Sequence, residues 1–360
     1  MPATSSRPDG APQTTAPAST APVAAPPVVV LGECVADAFT VPPPGGGERP
    51  SAHSIGLEVL PGGGPANTAV ALARLGTPTR FLGRLSRDVF GRLFREHLAA
   101  SGVDLGAVVE AAEPSTLAVA DVDDAGRAEY SFHAEGTADW QWTDGELAAA
   151  ASGPAACVHT GSLALVRPPG GEAVERLLER VRGRATVSVD PNVRPLLVEP
   201  AVYRERLPRW CAAADILRLS DDDLGHLLPG AGMEEAADVL HGHGAALVVV
   251  TLGAAGAYAS LERAGGAGGA GGTPGAERVR LRVPAPPTAV VDTVGAGDAF
   301  TGGLLHSLHA AGALGGRLDG LTAGVLEQAL ATGAAVAAAT CAVRGANPPR
   351  AHRMGRHTPR

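Results

Sequence analysis

Four short runs between residues 157 and 250 constrain the fold more than any other feature of the chain. Each run is mainly apolar, which is typical of strands buried on both faces of a parallel sheet. A cluster of polar residues or glycines follows each run directly. Because the carboxyl ends of parallel strands meet at one edge of a sheet, the clusters predict an active site along that edge. The runs cover 157–159, 185–189, 216–219 and 247–250, and the clusters cover 160–162, 190–194, 220–223 and 251–256.

The rest of the chain is consistent with an α/β domain around that sheet. Residues 28–31 form another apolar strand, and Asp37 is expected just past its carboxyl end, either at the ligand site or as a solvated loop residue. The runs 116–122 and 128–132 flank an Asp-Asp-Ala-Gly turn and predict a hairpin in a small added sheet, a lid. Trp140 and Trp142 are expected to cover the core. Further strands are expected at 79–82, 257–261 and 278–283, and helices at 66–75, 88–100, 172–182, 299–311 and 321–342.

Three segments have compositions that do not favour a packed structure. Residues 1–26 consist mainly of Pro, Ala, Thr and Ser and predict a disordered tail. They lack the positive start and continuous apolar segment of a signal peptide, which favours a cytoplasmic location. Residues 264–276 are nearly all Gly and Ala and predict a flexible loop. Residues 348–360 are rich in Pro, Arg and His and are expected to fray.

Composition excludes several classes of protein. The formal charge of -8 argues against a general nucleic-acid binder, which needs a basic surface. All 29 basic residues are Arg, so neither a lysine Schiff base nor a P-loop lysine is available. No uninterrupted apolar stretch has the length and composition expected of a membrane span. The four cysteines are widely spaced in apolar surroundings, which predicts buried free thiols rather than a metal site.

Residues 292–303, Asp-Thr-Val-Gly-Ala-Gly-Asp-Ala-Phe-Thr-Gly-Gly, form the strongest motif. Gly295 and Gly297 allow backbone amides to turn towards a ligand, and the helix that follows contributes the positive end of its dipole. Asp298 lies in the first turn of that helix. An anion site beside a carboxylate is suited to phosphoryl transfer to a hydroxyl group. The alternative is an ordinary capped helix, since short glycine motifs are weak signals.

Residues 61–76, Pro-Gly-Gly-Gly-Pro-Ala-Asn-Thr-Ala-Val-Ala-Leu-Ala-Arg-Leu-Gly, form the second motif. Its glycines permit close approach of a ligand to the backbone. Asn67 lies in the first turn of the predicted helix, where its amide is able to face a hydroxylated ligand. A glycine turn followed by a helix with an Asn near its cap is the alternative interpretation.

Together these two motifs resemble the signatures of the ribokinase-like (PfkB) carbohydrate kinases, and the resemblance extends from about residue 28 to about residue 349. It implies a kinase domain over 27–347, with a central, mostly parallel sheet between layers of helices and a small β lid from about 37–60 and 114–134. It also implies transfer of the γ-phosphoryl group of ATP to a primary hydroxyl of a monosaccharide. The expected cofactors are ATP and Mg²⁺, with K⁺ as a further candidate, and a homodimer through the lid is expected.

The resemblance also assigns roles to individual residues. Asp298 matches the general base, and Gly295, Ala296 and Gly297 match the anion hole. Sugar ligands would be Asp37, Gly63, Gly64 and Asn67, with Arg194 as a further candidate that an ion pair would explain equally well. Asp223 matches an Mg²⁺-organising position usually held by Glu, and Asp292 and Val294 match a monovalent cation site. The nucleotide pocket would include Asn192, Ser220, Thr251, Gly253, Gly256, Ala334, Ala338 and Asn347.

Three stretches are similar to the fructokinase branch. They are Gly32-Glu33, the run His-Thr-Gly-Ser-Leu at 159–163, and Asp-Pro-Asn-Val-Arg-Pro at 190–195. Fructose is therefore the favoured acceptor, while 2-keto-3-deoxygluconate, ribose and nucleosides remain alternatives. A sugar or nucleotide sensor without turnover is the alternative outside the enzymes. A Rossmann dehydrogenase is excluded because no Gly-x-Gly-x-x-Gly follows the first strand.

Overall fold

A computed structural model describes residues 25–41, 55–122, 128–263 and 277–354. Most of the predicted N-terminal tail, the predicted hairpin turn, the predicted loop 264–276 and residues 355–360 lie outside this part. The strands are β1 Val28–Leu31, β2 Val35–Val41, β3 Gly56–Gly62, β4 Thr79–Leu82, β5 Arg84–Ser86, β6 Val109–Ala111, β7 Thr116–Val122, β8 Ala128–His133, β9 Cys157–Gly161, β10 Thr186–Asp190, β11 Ile216–Ser220, β12 Leu247–Thr251, β13 Ala257–Arg263 and β14 Glu277–Val283. The helices are α1 Gly64–Arg74, α2 Val89–Ala100, α3 Asp144–Ala150, α4 Gly170–Val181, α5 Pro200–Ala213, α6 Asp221–Leu227, α7 Met233–Gly242, α8 Ala296–Ala310, α9 Ala323–Cys341 and α10 Ala351–Met354.

An eight-stranded sheet forms the centre of the protein, in the order β14-β13-β12-β11-β10-β9-β1-β4. The strands from β4 to β12 in this order are parallel, whereas β13 and β14 are added antiparallel at one edge. In β1, Val28 and Val30 face one hydrophobic cluster while Val29 and Leu31 face the other. Successive side chains of a strand point to opposite faces, and in β1 they are apolar on both faces. Both faces therefore need a covering layer, which the helices provide. The predicted three-layer α/β fold is confirmed.

A separate four-stranded sheet, β3-β2-β7-β8, corresponds to the predicted lid. Asp37, expected just past β1 at the ligand site or as a solvated loop residue, lies within β2 of this sheet, paired with Leu60 and Ala118. The chain enters the sheet only three residues after β1 ends, which carries Asp37 away from the main sheet. Trp140 and Trp142 are buried in the core, as predicted.

Close helix packing positions the two sequence motifs side by side. A Cβ on Gly302 of α8 would stand 2.5 Å from the Ala71 methyl group of α1, and one on Gly303 would stand 2.9 Å from Gly333 Cα of α9. These two glycines of the motif at 292–303 therefore serve helix contact rather than the anion site. In the described part of the chain, α9 is the one helix long and apolar enough by composition to cross a membrane. Its side chains at Leu326, Leu330 and Val336 are buried in the core.

The C-terminal residues 348–354, predicted to fray, lie against the domain. Arg74 Nη1 donates to the Pro348 carbonyl at 2.9 Å, and Arg350 Nη2 donates to the Ala100 carbonyl at 3.0 Å. The four cysteines are free thiols. Three are buried as predicted, whereas Cys341 is only partly buried.

Candidate active site

One large cleft lies between the lid sheet and the carboxyl ends of the central strands. Its volume is about 990 Å³, which is large enough for a nucleotide and a small second substrate. Because the register pairs Ser220 with Thr251 and Asp190 with Gly161, the polar strand ends lie side by side as predicted. The predicted site residues that line the cleft are Asp37, Gly63, Gly64, Asn67, Asn192, Arg194, Ser220, Asp223, Thr251, Gly253, Gly256, Val294, Gly295, Ala296, Gly297, Asp298, Ala334 and Ala338.

Asp298 lies where the two motifs meet. The Asn67 side-chain amide, at the start of α1, donates to Asp298 Oδ2 at 2.9 Å. The Thr68 hydroxyl donates to the Asp298 backbone carbonyl at 3.3 Å. Burial raises the pKa of the Asp298 carboxyl, while the Asn67 hydrogen bond and the charges of Arg194 and Arg218 lower it. The carboxylate is thus held in one orientation, with Asn67 supporting its ionised form.

The loop before α8 presents backbone N–H groups to the cleft. Gly295 caps the helix in the left-handed conformation, with a φ of 73°, which glycine adopts with little strain. The Ala296 N–H donates to the Thr293 carbonyl at 3.2 Å, so it is partly engaged within the loop. Gly297 and Asp298 follow in the first turn, where N–H groups have no intrahelical acceptor. Together with the helix dipole, this arrangement is suited to binding an anion.

The lid side of the cleft carries Asp37 opposite Arg194. Burial raises the pKa of Asp37 to about 6, the Arg194 charge lowers it, and the Asp298 charge raises it. Arg194 is exposed, and its Nη1 donates to the Val193 carbonyl at 3.1 Å. No ion pair of Arg194 occurs within the described ranges. Arg194 lines the cleft, and its charge lowers the pKa of both Asp37 and Asp298.

Glu33 also lines the cleft, although the sequence assigned it no site role. Its side chain is only 2% exposed, and within the described residues its Oε2 has no hydrogen-bond partner. Burial raises the pKa of Glu33 to about 8, and the nearby Asp139 charge acts in the same direction. Because of this raised pKa, the Glu33 carboxyl group in the cleft lining is neutral at neutral pH. In the sequence, the position of Glu33 just after β1 and shortly before Asp37 could have indicated a site role.

Arg218 is a second residue without a predicted role. It lies in the middle of β11, is 4% exposed and lines the cleft. Its Nη1 donates to Asp190 Oδ2 at 2.7 Å, and its Nη2 donates to the Thr251 hydroxyl at 2.7 Å. An arginine inside an otherwise apolar strand is rarely buried without a partner. The arginine in the run Ile-Leu-Arg-Leu could therefore have indicated a site role from the sequence alone.

Most of the predicted nucleotide residues line the same cleft. Asn192 lies close to Asp298, because a Cβ on Gly64 would stand 3.0 Å from Asn192 Nδ2 and 3.2 Å from Asp298 Oδ1. Asn192, Ser220 and Thr251 lie at ends of strands, and α9 contributes Ala334 and Ala338. Asn347 does not line the cleft: its side-chain oxygen accepts a hydrogen bond from Arg74 Nη1 at the end of α1. Its predicted contact with nucleotide is therefore not supported by its position.

The candidate metal residues have their oxygens engaged by the protein. Asp223 Oδ1 accepts from the Val193 N–H at 2.7 Å, and its Oδ2 accepts from the Ser220 N–H and hydroxyl at 2.9 and 2.6 Å. This is a capping box at the start of α6. Asp292 lies outside the cleft lining and accepts from the N–H groups of Val294 and Gly345 at 3.0 and 2.8 Å. In the described ranges, no group of three or more His, Cys, Asp or Glu side chains could hold a metal ion.

Comparison with known proteins identifies the family of this chain. A family model described as pfkB family carbohydrate kinase matches residues 26–353. A fructokinase from Rhizobium leguminosarum bv. trifolii is 37% identical over 255 residues, covering 70% of this chain and 73% of the relative. The chain therefore belongs to the pfkB family of carbohydrate kinases.

Solved structures agree with this assignment. A fructokinase from Xylella fastidiosa with bound ATP superposes with a TM-score of 0.75 at 26% identity, covering 89% of this chain and 93% of that one. A fructokinase from Vibrio cholerae O395, bound to fructose, ADP and calcium ion, has a TM-score of 0.71 at 27% identity, covering 89% and 94%. The protein is an ATP-dependent carbohydrate kinase, so the sensor alternative loses its support.

Proposed function

We propose that the protein is a fructokinase in which Asp298 is the general base. The carboxylate of Asp298, fixed by Asn67 between the lid-side residues and the anion site, is the observation that carries the proposal. The similarity to the Rhizobium and Vibrio fructokinases supports fructose as the acceptor. The reaction proposed is transfer of the γ-phosphoryl group of ATP to a primary hydroxyl of the sugar.

In the proposed mechanism, Asp298 accepts the proton of the attacking hydroxyl. Asn67 donates to Oδ2, which leaves Oδ1 as the oxygen that faces the substrate. The backbone N–H groups of Gly295 and Gly297, together with the α8 dipole, stabilise the negative charge on the transferred group. The partly engaged Ala296 N–H contributes less, because it already donates to Thr293.

Asp37, Asn67 and the backbone of Gly63 and Gly64 are proposed to bind the sugar hydroxyls. All four residues line the cleft, Asp37 from the lid strand β2 and the other three from the start of α1, which supports this proposal. Arg194 faces the same space, and its guanidinium would bind a carboxylate bidentately. This favours a sugar acid such as 2-keto-3-deoxygluconate as the second candidate acceptor.

The nucleotide is proposed to lie along Asn192, Ser220, Thr251, Gly253 and Gly256, with α9 beneath it at Ala334 and Ala338. Mg²⁺ would be bound mainly by the nucleotide phosphates and water, neutralising phosphate charge. Asp223 would reach it only through water, since its oxygens already accept hydrogen bonds. A K⁺ site near Asp292 and Val294 stays a prediction, as does a cytoplasmic location.

We further propose a homodimer formed through the lid. Leu57 of β3 is 47% exposed, Val41 of β2 is 36% exposed, and neighbouring Ile55 is 78% exposed. Exposed apolar side chains grouped on one small sheet favour burial against a second copy. Light scattering that gives only a monomer mass at micromolar concentration would remove this part of the proposal.

The decisive experiment combines a substrate panel with an Asp298→Asn variant. With ATP and Mg²⁺, the wild type should phosphorylate fructose with a higher kcat/KM than hexoses, pentoses, 2-keto-3-deoxygluconate or nucleosides. Asp298→Asn should lower kcat by about 10³-fold or more, while calorimetric affinities for ADP and fructose change little. Asp222→Asn, an exposed acid in the first turn of α6 outside the cleft lining, is the matched control. Turnover near the wild-type rate in Asp298→Asn would exclude the base role.

A further inference from the structure

The guanidinium of Arg218 lies directly behind the anion site of α8. We propose that Arg218 contacts the transferred phosphoryl group and stabilises its negative charge during transfer. This rests on the proposed function of the cleft as a site of phosphoryl transfer. The inference adds a cation to the backbone N–H groups of Gly295 and Gly297.

The first argument is the position of the guanidinium relative to α8. A Cβ on Gly297 would stand 2.9 and 3.1 Å from Nη2 and Nη1 of Arg218. The guanidinium carbon also lies 5.9 Å from the centre of the Phe300 ring, one turn further along the same helix. Any side chain at position 297 would therefore displace Arg218. The glycine leaves the guanidinium against the backbone that forms the anion site.

The second argument is the unused hydrogen-bonding capacity of Arg218. A guanidinium has five N–H donors, and the bonds to Asp190 and Thr251 use two of them. Within the described ranges, the buried Nε has no partner. A buried donor without an acceptor is unfavourable unless a ligand supplies one. Phosphoryl oxygens are acceptors that suit a guanidinium.

The third argument is electrostatic. The guanidinium lies at the positive end of α8, where a cation is unfavourable unless anions lie nearby. Asp190 compensates part of the charge through the bond to Nη1, and the charges of Asp223 and Asp298 also act on Arg218. A phosphoryl group would add a further anion at this helix end. Two cations line the cleft in the described part of the chain, Arg194 and Arg218. Arg194 faces Asp37 on the lid side, so Arg218 is the cation available near the strand ends proposed to bind the nucleotide phosphates.

A purely structural pairing of Arg218 with Asp190 is the competing explanation. Replacing a buried ion pair by neutral groups of similar volume is often neutral for stability. A double variant, Arg218→Met with Asp190→Asn, therefore removes the charge without leaving Asp190 buried and unpaired. Arg84→Met is the matched control, because Arg84 is also buried and ion-paired, with Glu113 and Glu146, but lies outside the cleft lining.

The test measures catalysis and the binding of a transition-state analogue. The acceptor is whichever sugar the wild type phosphorylates, so failure of the fructose assignment leaves this test intact. We expect kcat to fall by about 10²-fold or more in the double variant, with KM for the sugar changed little. Binding of ADP with tetrafluoroaluminate in the presence of sugar should weaken by a similar factor, while binding of ADP alone is retained. Arg84→Met should leave the ratio of the two affinities unchanged.

Two results would overturn the proposal. One is a folded double variant, judged by circular dichroism, that keeps the wild-type kcat and the wild-type affinity for ADP with tetrafluoroaluminate. The other result concerns Arg218→Lys, which is measured instead if the double variant does not fold. Lysine keeps the charge but lacks the planar set of donors, so kcat and analogue affinity should each fall about ten-fold. An Arg218→Lys enzyme equal to the wild type in both would refute the contact.

Discussion

Replacing Glu33 by Gln should make the stability of the protein less sensitive to pH. The side chain is 2% exposed and its pKa is raised from 4.5 to about 8, mainly by burial. The unfolded chain ionises near pH 4.5, whereas the folded protein keeps the proton up to about pH 8. Folded wild type therefore binds more protons than the unfolded chain in this interval, so its stability falls as the pH rises.

The size of the effect follows from the width of the interval. Each pH unit between the two pKa values lowers the free energy of unfolding by about 1.4 kcal/mol. Between pH 5 and pH 7 the wild type should lose about 3 kcal/mol through Glu33 alone. Gln is close in shape and does not titrate, so Glu33→Gln should gain that amount relative to the wild type over the same two pH units.

Denaturant unfolding of both proteins at pH 5 and pH 7 measures this difference. Glu179→Gln, which removes a carboxylate from the exposed face of α4, controls for the change in net charge. The difference between variant and wild type, not either value alone, isolates Glu33, because Asp37, Asp139 and Asp190 also have raised pKa values. A difference that changes by less than about 0.5 kcal/mol between the two pH values would refute the buried, protonated carboxyl group.

Two glycine substitutions test the geometry of the site. At Gly295, φ is 73° and a Cβ would stand 2.5 Å from a methyl group of the loop after α9, so Gly295→Ala should lower both stability and kcat. Gly312→Ala is the control, because Gly312 has a φ of 66° but open space around it. This control should lower stability by about 1 kcal/mol and leave kcat unchanged. At Gly64, a Cβ would stand 3.2 Å from Asp298 Oδ1, so Gly64→Ala should lower kcat/KM by about ten-fold or more. Gly145→Ala, in open space on α3, should keep wild-type kinetics and gain about 0.5 kcal/mol, measured by urea unfolding. Equal kinetics in Gly64→Ala and Gly145→Ala would contradict the placement of Asp298.

The positions of the main strands along the chain were accessible from local patterns, because fully buried parallel strands are nearly continuous apolar runs. The same patterns did not reveal α5 or α6. Pro208 interrupts the helical pattern of α5, and the acids that begin α6 were interpreted only as a polar cluster at the end of β11. Both helices are specified by tertiary packing and capping more than by periodicity.

Among the site residues, those carried by the two motifs were predictable, because a glycine turn and a helix start fix their side chains locally. Glu33 and Arg218 were not, since their roles depend on which groups the fold places around them. Asn347 illustrates the converse, because the family resemblance assigned it to the nucleotide pocket, whereas its side chain accepts a hydrogen bond from Arg74.

The separation of Asp37 and Asp298 between two sheets has a consequence for the timing of the reaction. Asp37 belongs to the lid strand β2, while Asp298 belongs to α8, which packs on the main sheet. Any rotation of one sheet against the other changes the distance between the two carboxyl groups. A sugar held by both carboxyl groups would therefore act as a spacer that sets this distance. Without a sugar, nothing would set this distance, and transfer of the phosphoryl group to water would then be disfavoured.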